Sequence, residues 1–292
     1  MDETRPPILP YRFDRAASGH VASIPRRALG RTGYVLPVLG LDISQTARSA
    51  VSSPHSIPPL VTGAVEEGVE VFATSLIGDQ SQQFGSALKA IRMEKHAFIM
   101  ASHTHFDDEE NVSIDALRRQ LDVSLEHLPH INVLVLKAAS GVDFPSNFLS
   151  ALDKLRSEGL FKHIGILGRG TELDSAIQTD AFDILVAPAH KALSPRELDR
   201  LERARASGLG VVGVEILSPT AKRFRWSLRP HDLWHNMRQF LRKSLDQRPE
   251  TTFSVEECLQ WVLNSGLVDV ALIQATRPAQ LTQNIAIARS TS

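Results

Sequence analysis

Two hydrophobic rhythms alternate along this chain. Short, nearly continuous apolar runs stand at 38–44 (VLGLDIS), 70–78 (EVFATSLIG), 96–102 (HAFIMAS), 131–136 (INVLVL), 163–168 (HIGILG), 183–188 (DILVAP), 210–217 (GVVGVEIL) and 269–274 (DVALIQ). Runs of this kind predict strands buried on both faces, as in a parallel sheet. Between them apolar residues recur at helical spacing. Ile114, Leu117, Leu121, Leu125 and Leu128 mark one buried helix face behind Ser113, which reads as an N-cap. Helices are also expected over 60–67, 82–91, 146–158, 173–178, 195–207, 255–263 and 278–288. Gly68, Gly159 and Gly208 stand where helices would be stopped. Strands and helices in this alternation favour a closed (β/α)8 TIM barrel over an open doubly wound sheet.

Two segments fall outside that rhythm, apart from a hairpin at 27–35 (RALGRTGYV) with turn chemistry around Gly30 and Gly33. Residues 1–24 are polar and Pro-containing and read as an extension to one barrel domain, 25–292. Residues 219–250 form an insertion after the seventh strand, carrying Lys222, Arg223, Arg225, Arg229, Arg238, Arg242, Lys243 and Arg248. It suits an anion or partner site, or a solvated amphipathic helix with Leu233, Met237, Phe240 and Leu241 inward.

Composition narrows the class. The chain of 292 residues is 42% hydrophobic and 22% charged, which suits a single globular barrel. No apolar stretch reaches the ~18 residues of a membrane span, and the N-terminus lacks the apolar core of a secretory signal. One cysteine, Cys258, can form no internal disulfide, which fits a reducing cytoplasm. A net charge of -1 gives no pull toward nucleic acid.

In such a barrel, chemistry sits where the strands end. Those ends carry Asp42, Ser44, Thr74, His103, His105, Lys137, His190, Lys191 and Glu215. Lys137, closing an apolar strand, is a candidate base or Schiff-base former. His103 and Glu215 are a candidate acid–base pair. The expected catalytic group is therefore His103, Lys137, Glu215 and His190, with Lys137, His103 and Glu215 sharing one pocket around a small-molecule ligand. A metal set of His103, His105, His190 and Glu215 is disfavoured, because Asp107 and Asp108 suggest that the strand has ended. No metal is expected.

Several short motifs, in order, carry a family resemblance. Residues 27–33 (RALGRTG) resemble the "LGxTG" hairpin that closes the barrel bottom in aldo-keto reductases, and 67–72 (EGVEVF) the "GxxxFDTA" approach to their second strand. Residues 149–165 resemble the approach to "RxIGVSN", and 277–284 (RPAQLTQN) the closing "SPEQLEEN". The resemblance implies an aldo-keto-reductase-type barrel, hydride transfer from NADPH, and an Asp–Tyr–Lys–His tetrad. At the tetrad positions it places Ala73, Ile77 (or Gly78, one residue over), His103 and Lys137. At the nicotinamide contacts it places Leu167 and Gly168, Val186 and Ala189, and Glu215 and Ile216. At the adenine end it keeps Arg277, Gln283 and Asn284, which leaves residual NADP docking open.

These placements lead to an expectation of a barrel that has left redox chemistry. It would need no cofactor and would work as a lyase, dehydratase or isomerase. The alternatives are a non-catalytic regulatory partner, with a protein partner or a second copy, and an NADP-dependent carbonyl oxidoreductase with an atypical site.

Overall fold

The computed structural model describes residues 23–44, 57–76, 78–103, 113–138, 145–220, 253–275 and 277–291. Residues 1–22 of the extension, His105, and residues 221–250 of the basic insertion lie outside that set.

A hairpin comes first, β1 (Arg26–Ala28) with β2 (Val35–Pro37). The barrel strands are β3 (Leu39–Asp42), β4 (Val71–Ser75), β5 (Phe98–His103), β6 (Val133–Lys137), β7 (His163–Leu167), β8 (Ile184–Pro188), β9 (Gly210–Val214) and β10 (Val270–Ile273). They close in the order β10-β3-β4-β5-β6-β7-β8-β9, every neighbour parallel. This is the closed (β/α)8 barrel expected from the rhythm of the sequence.

The helices between strands are α1 (Ile57–Glu66), α2 (Asp79–Ala90), α3 (Ile114–Leu125), α4 (Ser146–Ser157), α5 (Thr171–Gln178), α6 (Pro195–Ala206), α7 (Val255–Asn264) and α8 (Pro278–Arg289). Their starts are written locally. Ser194 with Glu197 and Ser254 with Glu257 form reciprocal capping boxes at α6 and α7, which satisfy amide hydrogens that have no partner inside the helix. Ser113 caps α3 by accepting from the Ala116 amide. Helix α1 starts three residues before the apolar period does, at Ile57, with Pro58 and Pro59 in its first turn, where missing amides cost nothing.

Alternation along the strands divides the core into two layers. Val71, Phe98, Met100, Val133, Val135, Ile184, Val186, Val212, Val270 and Leu272 fill the barrel interior. Phe72, Ile99, Ala101, Leu134, Leu136, Leu185 and Val211 face outward and pack with the helices. The hairpin stops the N-terminal end. Tyr34 joins the interior cluster, its ring 4.9 Å from Phe98 and 5.7 Å from His163, edge to face. Gly30, at φ +46°, lies so close that a Cβ would sit 2.2 Å from the Gly210 nitrogen. Only glycine seats this turn on the barrel.

Candidate functional site

The same alternation defines the C-terminal mouth. One interior-facing position closes each strand, and each is partly open to solvent although its chain neighbours are buried, Glu215 beside Val214 excepted. Around the polar half of the ring these are Gln274 just after β10, Asp42 of β3, Ser102 of β5 and Lys137 of β6, interrupted by Ala73 of β4. The other half is Leu167 of β7, Pro188 of β8 and Val214 of β9. A polar arc thus faces an apolar arc across the bowl. Such a wall-plus-anchors arrangement is what a small polar ligand or a flat ring requires.

Asp42 is the most fully positioned member of the ring. Its Oδ1 accepts from the Ser44 amide at 2.9 Å and the Ser44 hydroxyl at 2.5 Å, and its Oδ2 accepts from Gln274 Nε2 at 2.9 Å. In the register of β3 on β4 it lies directly beside Ala73. Ser102 donates its hydroxyl to the Thr74 carbonyl at 3.1 Å, which ties β5 to β4 at the same level. Ser75, buried on the same face, lies beside Ser102 in register.

The four expected catalytic residues are not gathered together. Lys137 follows Val133 and Val135 in the alternation, so it belongs to the mouth, and it is exposed. His103 follows Ile99 and Ala101, so it belongs to the outer layer, 4% exposed. Its register partner is Leu136, and that of Lys137 is Leu167. The shared His103–Lys137 pocket is therefore corrected: the ends of β5 and β6 are adjacent, but a one-residue step turns a side chain to the other face. Glu215, just past β9, pairs with Arg169 from the loop after β7. This ion pair spans the end of β8 along the apolar side of the rim, which also corrects Glu215 as a partner of Lys137. Glu215 holds φ +57°, a strained value for a residue with a Cβ, and its carbonyl accepts from the Ser218 amide. His190 is 3% exposed, two residues beyond β8.

Below the Arg169–Glu215 pair the rim is braced by a second group. Glu172 Oε1 accepts from the Arg169 and Gly170 amides, each at 2.6 Å, and caps the start of α5. A Cβ on Gly168 would meet that oxygen at 2.6 Å, so the glycine makes room for the cap. Asp174, in the first turn of α5, receives Arg200 at 3.0 and 2.8 Å and Arg203 at 2.5 Å from α6. Hydrogen bonds from Arg200 foremost, outweighing partial burial, hold its carboxyl at about 2. Cys258 is sealed inside α7, and burial pushes its thiol up, which makes it a packing residue. A groove of about 560 Å³ between α2 and α3, lined by Asp79, Gln82, Arg119, Gln120 and His127 among others, does not include the strand-end ring.

The proposed adenine-end residues separate by exposure. Arg277 and Gln283 are exposed, whereas Asn284 is buried at 3% within α8. Arg277 is the N-cap of α8, which has no side-chain cap and no acidic residue in its first turn. Pro278 carries no amide hydrogen and the Gln280 and Leu281 amides donate to the Arg277 carbonyl, so the guanidinium of Arg277, at the positive end of the helix, is the group that fits a phosphate. The apolar arc fits a flat aromatic ring. The residues present therefore suit a nicotinamide dinucleotide at both ends of its length.

The fold is that of the aldo-keto reductases. The chain superposes on an aldo-keto reductase from Bacillus halodurans in its holo form with a TM-score of 0.69 and 18% identity, covering 92% of each chain. It superposes equally, at 0.69 and 19% identity, on a protein assigned to the aldo-keto reductases from Pseudomonas aeruginosa, covering 92% of this chain and 96% of that one. In sequence it is 25% identical over 190 residues to D-threo-aldose 1-dehydrogenase of a Pseudomonas species, across 61% of this chain. It spans about half the length of that relative, 54%. No family model matches the chain.

These likenesses correct two expectations. The relatives are reductases and a dehydrogenase, one of them in a holo form, so a barrel turned to lyase, dehydratase or isomerase chemistry does not stand. Neither does a mouth that expects no cofactor. Short motifs fix the order of elements along the chain but not which side chains line the mouth, because a one-residue step in a strand turns a side chain to the other face.

Proposed function

We propose that this chain is an NAD(P)-dependent oxidoreductase that interconverts a carbonyl and a hydroxyl on a small polar substrate of the aldose kind, at the C-terminal mouth of the barrel. The observation that carries the proposal is the sequence likeness to an aldose dehydrogenase, on a barrel of aldo-keto reductase fold. Arg277 at the start of α8 would hold phosphate, and Leu167, Pro188 and Val214 would back the flat ring. When bound, the dinucleotide supplies or accepts the hydride.

The chain's own task is the proton. Reduction of a carbonyl needs a proton at oxygen, and oxidation of a hydroxyl must remove one. Lys137 is the cation of the mouth ring, and its Nζ is proposed to hold or return that proton. General acid–base help of this type is worth ~10²–10⁴ in rate. Ser102 and Asp42 fix the polar side of the bowl, so that a substrate presents its oxygen toward Lys137 and its carbon toward the apolar arc.

The test is turnover of an aldopentose with NAD⁺ or NADP⁺, followed by nicotinamide absorbance, with calorimetric titration of both dinucleotides. Turnover with at least one is expected. No dinucleotide binding and no turnover would overturn the proposal.

A further inference from the structure

Asp42 differs from the other carboxylates that anchor this barrel. Asp174, Asp183, Asp269 and Glu70 each stand against an arginine. Asp42 stands in the mouth, held by three neutral donors and by no cation within ion-pair distance among the described residues. A carboxylate offers about four acceptor positions. Three are filled from Ser44 and Gln274, which fixes the group in place and leaves one.

Gln274 follows from the same geometry. Because Asp42 can only accept, the side-chain amide that meets it must turn its Nε2 inward. Its Oε1 is then a second acceptor beside the first. Two acceptors, one charged, sit side by side at the seam of β3 and β10.

We infer that Asp42, with Gln274 Oε1, binds two neighbouring hydroxyls of the substrate and sets the preference of this site for polyhydroxylated carbonyl compounds. The inference rests on the proposed aldose oxidoreductase reading for the reaction, though not for the binding. Hydroxyls fit better than the other partners of a carboxylate. An ammonium group would enter a bowl that already holds Lys137. A metal ion needs more ligands, and no group of His, Cys, Asp and Glu among the described residues could hold one. Neutral donors on adjacent carbons satisfy both acceptors without a second charge.

The experiment compares kcat/KM for arabinose and for pentanal, which has the same carbon count and no hydroxyls, in the full chain and in Asp42→Asn. Asparagine keeps an acceptor for Ser44 but loses the spare one. The preference for arabinose over pentanal should fall about 10- to 100-fold, the usual worth of a hydrogen bond to a charged group. Gln274→Ala, which leaves the carboxylate in place, should lower it about 3- to 10-fold on the scale of a neutral hydrogen bond. A preference unchanged within about twofold in both variants, on the scale of a lost hydrogen bond, overturns the inference.

Saturation-transfer NMR of arabinose on the wild type and on Asp42→Asn separates the two readings. Arabinose that binds through Asp42 without any dinucleotide turnover removes the oxidoreductase reading and keeps this one. Turnover of pentanal and arabinose alike, with arabinose contact independent of Asp42, removes this one alone. Neither binding nor turnover removes both.

Discussion

The two ends of the barrel are built on opposite economies of polar groups. At the N-terminal end, charge is spent on backbone. Arg27 donates to the carbonyls of Leu263 and Val268, Arg31 to Phe182, and Arg26 to Val35 and to Glu70. Asp269, 3% exposed, accepts from the Val211 amide and from Arg205. Tyr34 fills the bore. At the C-terminal end, the bowl keeps its polar side chains half open, and Asp42 retains spare capacity. One end is saturated and holds the barrel shut. The other is under-used, which is the condition for binding something else.

The sharpest way to break that contrast is at Asp269. Asp269→Ala strands a buried amide and an arginine, and should cost about 3–5 kcal/mol of stability, measured by denaturant unfolding. A loss below about 1 kcal/mol would show that the closed end is not where stability resides.

Lys137→Met should do the reverse. It is expected to lower kcat/KM about 100-fold in the proposed reaction while moving stability by no more than about 0.5 kcal/mol. Loss of stability with retained turnover would place Lys137 in the scaffold.

Asp174 tests whether the rim shares the economy of the closed end. Its carboxyl is lowered from 3.8 to about 2, chiefly by hydrogen bonds from Arg200. A depressed carboxyl contributes stability that is complete above its unfolded value and lost as pH falls through its folded one. The contribution should therefore fade between about pH 4 and pH 2, and after screening it is worth about 1–2 kcal/mol. Unfolding of the wild type and of Asp174→Asn should differ at neutral pH and converge near pH 2. A gap that persists at low pH would assign the difference to packing.

Arg26→Ala should have the smallest effect. The Arg26–Glu70 pair is exposed on the Arg26 side, and pairs of that kind are worth about 0–1 kcal/mol. A larger loss would mean that the bond from Arg26 to the Val35 carbonyl, not the charge, matters.

The barrel was legible because a helix period and a short apolar run look different in any sequence. The glycines that stop its helices and the RALGRTGYV hairpin were legible for the same local reasons. The mouth was not, and the cause is physical. A strand buried on both faces carries no alternation of polar and apolar residues, so FIMASH does not say whether Ser102 or His103 faces inward. Only pairing with β4 and β6 and closure of the ring decide it. Asp42 could be seen at a strand end, but its role depends on Gln274, 232 residues away. The signal that could have found it is the lone carboxylate inside VLGLDIS, a run otherwise poor in charge.

Gly30, with no room for a Cβ against Gly210, has a consequence for how the molecule is made. The hairpin leaves the ribosome before any of the barrel. Its turn rests on Gly208 to Gly210, and Arg27 reaches carbonyls 236 and 241 residues further on. Contacts of that span close only after the intervening chain has been ordered. The hairpin is thus made before the barrel and seated after it, and it locks in place only when the chain has been made as far as Val268.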